Sequence, residues 1–110
     1  MNDLMPRPKR VGPPKIKPVT IGKVRFEAIH WGKTRGFGQN GGYVAALDVS
    51  SGEELWTVKV YDVVYEEPME EDVQDVFIER MKAEGDRLLI TDEKKRRYLL
   101  DPKTRKVSRP

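Results

Sequence analysis

Apolar and polar positions alternate along most of this chain from Val19 onward. Val19, Ile21, Val24, Phe26 and Ile29 mark a first extended run reaching to about Trp31, and Tyr43 to Val49 a second. Leu55 to Val64 reads as a third strand. In it Trp56, Val58 and Val60 form the candidate buried face, opposite Leu55, Thr57, Lys59 and Tyr61. Arg87 to Asp92, Arg96 to Asp101 and Arg105 to Val107 are shorter strands, joined by turns at Lys94-Lys95 and Pro102-Lys103-Thr104. Short strands joined this closely predict an antiparallel meander of about six or seven strands. One stretch is ambiguous. Val73, Val76, Phe77 and Met81 fit a helical stripe, Pro68 and the acids around it suit a helix start, and Gly85 suits a stop. Against that, Val76-Phe77-Ile78 favours β structure and Glu84-Gly85-Asp86 suits a hairpin turn. Local signals lean towards a helix near 69–84, which makes an α+β fold the alternative to an all-β one.

Two segments echo each other. Ala46-Leu47-Asp48-Val49-Ser50-Ser51-Gly52 lies 53 residues before Leu99-Leu100-Asp101-Pro102-Lys103-Thr104-Arg105. In each, an apolar pair leads into an Asp, and a hydroxyl residue follows three places later. An Asp carboxylate accepts hydrogen bonds from turn amides, as Ser51 and Thr104 hydroxyls do, and Gly52 supplies a positive φ. Both segments therefore predict hairpin corners, with Asp48, Ser51, Gly52, Asp101 and Thr104 as their structural residues.

Tyr43 through Trp56, ending in Glu53-Glu54-Leu55-Trp56, resembles one repeat of the quinoprotein-type (PQQ-like) β-propellers. Met81 through Val107 resembles a second repeat with a changed ending: Arg105 replaces Gly, and no Trp follows Val107. The resemblance covers about half the chain. It implies strand rather than helix for Val76 to Glu84, hence an all-β fold with blade-like hairpins, and it gives Trp56 a structural role between sheets. In the family, several blades close a ring. Two units cannot, so the resemblance implies either assembly with further copies or a free-standing domain. No residue here matches the family's cofactor site, so no quinone and no other cofactor is expected.

Length changes the picture little: 110 residues make one domain. Its expected bounds are 19–108, preceded by a disordered arm, 1–18, with five prolines and five cations between Pro6 and Pro18. Charged residues reach 35% and the formal net charge is +3. Cysteine is absent, which removes disulfides, thiol catalysis and thiolate metal sites. No apolar run approaches the roughly 18 residues of a membrane span. The charged, Pro-containing start lacks the form of a secretory signal, so the expected setting is cytoplasmic, away from membranes.

Candidate chemistry centres on the glycines from Gly32 to Gly42. Gly36-Phe37-Gly38-Gln39-Asn40-Gly41 matches the letters of a dinucleotide fingerprint, but a strand and another turn follow, leaving no room for the helix that would meet a pyrophosphate. Gly32-Lys33-Thr34 lacks the leading glycine of a phosphate-binding loop, since position 27 is Glu27. Arg35-Gly36-Phe37-Gly38 resembles half of the RNA-binding motif of RRM and cold-shock domains, and Asp75-Val76-Phe77-Ile78 resembles a second cold-shock signature. Gln39-Asn40 departs from that pattern, and the acidic stretch 66–75 separates the basic ends. His30 is the only histidine, so neither a His-rich metal site nor an evident triad forms.

The expectation is a non-catalytic module that binds another protein or itself, possessing neither catalytic nor metal residues. Its expected contact surface is the Gly-rich loop: Trp31, Arg35, Phe37, Gln39 and Asn40. Single-stranded nucleic-acid binding and an inhibitor or immunity-type role are the alternatives.

Overall fold

The computed structural model describes residues 12–66 and 74–110. Eight strands run in chain order: β1 Val19–Ile21, β2 Val24–Ile29, β3 Tyr43–Asp48, β4 Glu54–Lys59, β5 Ile78–Glu84, β6 Arg87–Asp92, β7 Arg97–Asp101 and β8 Lys106–Ser108. They form two antiparallel four-stranded sheets, β1-β2-β3-β4 and β5-β6-β7-β8, each in sequence order. The fold is all-β. Among the described residues helical conformation is confined to the 3₁₀ turn Gly32–Arg35 and to Gln74, which falls inside the expected helical alternative.

The first expected strand is in fact a hairpin. Ile21 pairs with Val24 across Gly22-Lys23, and Gly22 holds φ 63°, the positive value that glycine supplies without steric cost at the first position of a tight loop. This hairpin explains why the strands number eight rather than six or seven. The third expected strand stops at Lys59, well short of Val64. Beyond it Tyr61, assigned to the solvated face by alternation, is buried, and its ring stacks on Tyr98 at 5.1 Å.

The ambiguous stretch forms β5 over 78–84; residues 67–73, including the start of the helical alternative, lie outside the described residues. The strand carries an irregularity near its start. Pairing slips between Ile78↔Asp92 and Arg80↔Thr91, leaving Glu79 as the extra residue of a β-bulge. The bulge reverses the parity of the strand, so Ile78 and Met81 both enter the core three positions apart. A bulged strand thus reproduces one step of helical spacing.

The sheets pack face to face on one core. Phe26, Val44 and Ala46 of the first meet Ile78, Met81, Leu88, Ile90 and Leu100 of the second in a single buried cluster, with β1 beside β5. Each fully buried large aliphatic or aromatic side chain contributes about 1.5–3 kcal/mol. Trp56 and Val58 face this core from β4, as alternation predicts. Leu55 is bypassed where the pairing shifts between Ala46↔Trp56 and Leu47↔Glu54, and it is exposed.

Residues 1–11 of the expected disordered arm lie outside the described residues. Its inner part, 12–18, has no regular structure but is laid against the domain. Ile16 packs on the core, and His30 Nε2 lies 2.9 Å from the Pro14 carbonyl oxygen.

Candidate interaction surface

The Gly-rich connection between β2 and β3 folds over the outer face of the first sheet. Gly32 donates its N–H to Asn40 O at 2.9 Å, and a Cβ at Gly32 would sit 2.8 Å from the Tyr43 ring. Gly36, at φ 88°, ends the 3₁₀ turn, and Phe37 then lies against Tyr43 with ring centroids 4.5 Å apart. Tyr43 points away from the core yet is buried, because this loop packs on its ring; Ala45, between Glu27 and Thr57, is buried on the same face.

The loop's polar side chains are mostly turned inward. Gln39, expected at the contact surface, is 4% exposed: its Nε2 donates to the Gly41 and Tyr61 carbonyls at 2.9 and 2.8 Å, and its Oε1 accepts from Val63 N–H at 2.8 Å. Two of these three bonds tie the loop to the segment after β4, and the third braces the loop itself. Asn40 does the same for the start of the second sheet, donating to Asp75 Oδ2 at 3.1 Å and accepting from Lys33 N–H at 3.2 Å. Arg35 donates to both oxygens of Glu54 at 2.6 and 2.8 Å. The Thr57 hydroxyl and Arg35 together hold the Glu54 carboxyl below its ordinary value. Trp31 is 52% exposed and meets Phe77 edge-on at 5.8 Å. The five residues share one loop: Trp31 and Arg35 are exposed, Phe37 and Asn40 half-buried, and Gln39 buried.

The two corners form as the residues predict. Asp48 Oδ1 accepts from Ser50 N–H at 3.1 Å, and Ser51 Oγ accepts from Glu53 N–H at 3.1 Å. In the second corner Asp101 Oδ1 accepts from Lys103 N–H at 3.0 Å, and Thr104 Oγ1 from Lys106 N–H at 3.3 Å. Gly52 and Arg105 occupy the same place, at φ 76° and 62°, and each donates its N–H to the leading Asp carbonyl at 2.7 Å. Arg105 lies over the Trp56 ring at 5.0 Å, so Trp56 packs against Phe26 on one side and meets the other sheet's corner on the other. A small apolar cleft of about 180 Å³ opens there, lined by Ile21, Val24, Phe26, Trp56, Asp86, Pro102 and Lys103.

At the turn expected around Lys94-Lys95, sequence reasoning missed the carboxylate that closes it. Asp92 is fully buried; its Oδ1 accepts from the N–H groups of Lys94 and Arg96, and its Oδ2 from Arg96 Nε at 2.8 Å and Tyr98 OH at 2.9 Å. The carboxylate pushes Arg96 up. Tyr98 is raised by burial first and by its bond to Asp92 second, and Tyr61 by burial and then by the Asp92 charge. The missed signal was parity: Asp92 continues the buried series Leu88, Ile90.

The outer face of the second sheet carries no such loop among the described residues. Across it, Arg80 pairs with Thr91 and Thr91 with Arg97; the next row is Lys82, Leu89, Leu99 and Ser108. Arg80, Lys82, Leu89, Thr91 and Arg97 line a shallow cleft of about 170 Å³. None of these residues was singled out from sequence as a contact, because their grouping needs the bulge at Glu79 and the pairing of three strands.

Among the described residues, no group of three or more His, Asp or Glu side chains is arranged to hold a metal, and no helix is long and apolar enough to cross a membrane. The His30 ring meets Phe77 edge-on at 5.3 Å. No protein-family model matches this chain, and no curated protein shows significant similarity to it.

Proposed function

We propose that this chain is a non-catalytic interaction module that engages a protein partner through the outer face of its second sheet. One observation carries the reading: the loop on the first sheet packs on Tyr43 at one end of its outer face, whereas the equivalent face of the second presents Arg80, Lys82 and Arg97 around half-buried Leu89 and Leu99, with no such loop among the described residues. A solvent-facing row of cations interleaved with aliphatic side chains has the composition of a polar, charge-steered interface.

Self-association through blade-like sheets, the specific form implied by the propeller resemblance, draws support from the matched order and matched corners of the two sheets. Charge opposes it. In a head-to-tail stack Arg80, Lys82 and Arg97 would meet the other side of the first sheet, where Arg35 and Lys59 are already paired with Glu54 and Asp62, so few acids there are left to receive them. Single-stranded nucleic acid has less support, since Phe37, the ring that would stack on a base, lies against Tyr43 with Arg35 at 5.7 Å.

A photo-crosslinking residue placed at Ser108, on the exposed outer side of β8, and at Thr20, its counterpart on β1, tests the reading in extracts of the native host. Protein adducts from position 108 and none from position 20 are expected. Equal yields from both, or none from position 108, refute it, as does any turnover abolished by His30→Ala.

A further inference from the structure

We infer that the cleft of Arg80, Thr91 and Arg97 receives carboxylate side chains of an extended acidic peptide presented by a protein partner. This inference rests on the reading just proposed and supplies its partner chemistry.

The register places Arg80 and Arg97 on either side of Thr91 in a single row across three strands. Neighbouring strands lie about 4.8 Å apart, so the two guanidinium groups arise roughly 10 Å apart with a hydroxyl between them. Two long cationic arms and a short donor converging on a concave spot match a carboxylate, which accepts planar, charge-assisted hydrogen bonds. Neither arginine has a carboxylate within ion-pair distance among the described residues. Lys82 reaches Glu84 only at 3.9 Å, while nearby Lys95 and Arg96 are engaged by Glu79 and Asp92 at 2.6 and 2.8 Å. Glu79 and Asp92 are thus taken up at the bulge and the corner, and among the described residues Arg80 and Arg97 are left without an ion-pair partner.

The surroundings favour a peptide over a nucleic-acid strand. Leu89 and Leu99 sit half-buried in the adjacent row, giving aliphatic contact for the side chains that flank an acidic residue. Tyr98, the aromatic of β7, faces the core, so this face offers no ring for base stacking. One row further on, Glu84 and Asp101 enter the same face beside Arg87 and Lys106, so that row is of mixed charge rather than a continuation of a basic track.

Three labelled probes test this on the full chain: a short Glu-rich peptide, its Gln-for-Glu counterpart, and a single-stranded thymidine oligonucleotide of equal charge. The Glu-rich peptide is expected to bind, more weakly as salt rises, and the Gln peptide not to bind. The double variant R80E/R97E should weaken binding by about tenfold or more, while K17E/K23E, an equal charge change at positions flanking β1 and outside the cleft, stays within about twofold. Thr91→Val, a nearly isosteric change, guards against misfolding of the charge-reversed variant and should also weaken the peptide. Equal loss in both double variants would reduce the effect to net charge and overturn the inference. Tighter binding of the oligonucleotide through Arg80 and Arg97, or no peptide binding by the folded protein, would overturn it too. Adducts from position 108 without peptide binding would leave the interaction face standing and remove only its acidic-peptide chemistry; absence of both would remove both.

Discussion

The two sheets are built on the same skeleton and differ at one connection. Each is four consecutive antiparallel strands. Each opens with a hairpin whose loop begins in glycine at φ 63°, Gly22 in one and Gly85 in the other, and each closes with an Asp-led corner. Between the second and third strands the first sheet inserts residues 30–42, the second only 93–96. The long connection folds back and covers its own sheet, tied down by Gln39 and Asn40. The short one is consumed by a buried Asp92 and leaves its sheet face open. The longer insertion buries Tyr43 on the outer face of the first sheet, a cover that the short connection does not supply to the second.

The largest test of the comparison asks whether the sheets are independent. Phe26→Ala removes a ring that is 1% exposed on the first sheet and should cost about 3–5 kcal/mol. Because the core is shared, amide-exchange protection should fall in β5–β8 as much as in β1–β3; loss confined to the first sheet would show two separate units.

Next in size is the inequality of the corners. Asp92→Ala removes every acceptor used by Tyr98 OH and Arg96 Nε and should destabilise by about 3 kcal/mol, against about 1 kcal/mol for Asp48→Ala at the exposed corner. Denaturant melts of the two variants measure this, and equal losses would refute the buried-corner account.

Alkaline titration probes the stacked pair that bridges the sheets. Burial raises both Tyr61 and Tyr98 above the ordinary tyrosine value, so the native state retains protons that the unfolded chain releases. Their stabilisation is complete below about pH 10 and declines above it, by about 1.4 kcal/mol per pH unit for each ring still protonated. Ultraviolet phenolate absorbance should appear together with unfolding for these two rings, and Tyr98→Phe should flatten the decline. Early ionisation of all four tyrosines in the folded protein would contradict it.

The smallest effect sharpens the match between Gly52 and Arg105. Gly52→Ala should cost about 1 kcal/mol at positive φ. Arg105→Gly should be near neutral, since relief of backbone strain offsets the loss of about 0.5–1 kcal/mol from the guanidinium over Trp56. Thermal melts of both variants compare the two corners directly.

The parts legible in the sequence share a locality. The Asp48 and Asp101 corners close on amides two residues away, so their chemistry sits inside a short window. Alternation likewise identifies Trp56 and Val58 as core-facing, because both belong to one regular strand. Gly22 escaped notice because a lone glycine in an apolar run reads as strand until its φ is known. Gln39 looked like a surface side chain because the groups that satisfy it, Tyr61 O and Val63 N–H, lie beyond the next strand. Arg80 and Arg97 share a row only after the Glu79 bulge has turned the strand over.

Residue pattern alone thus determined the strands, the Asp-led turns and the absence of thiol chemistry, since each depends on neighbours a few bonds away. Packing of one sheet on the other decided which loop became a cover, which carboxylate was buried, and which cations were left together facing solvent. Those outcomes depend on distances between segments remote along the chain, and no local window contains them.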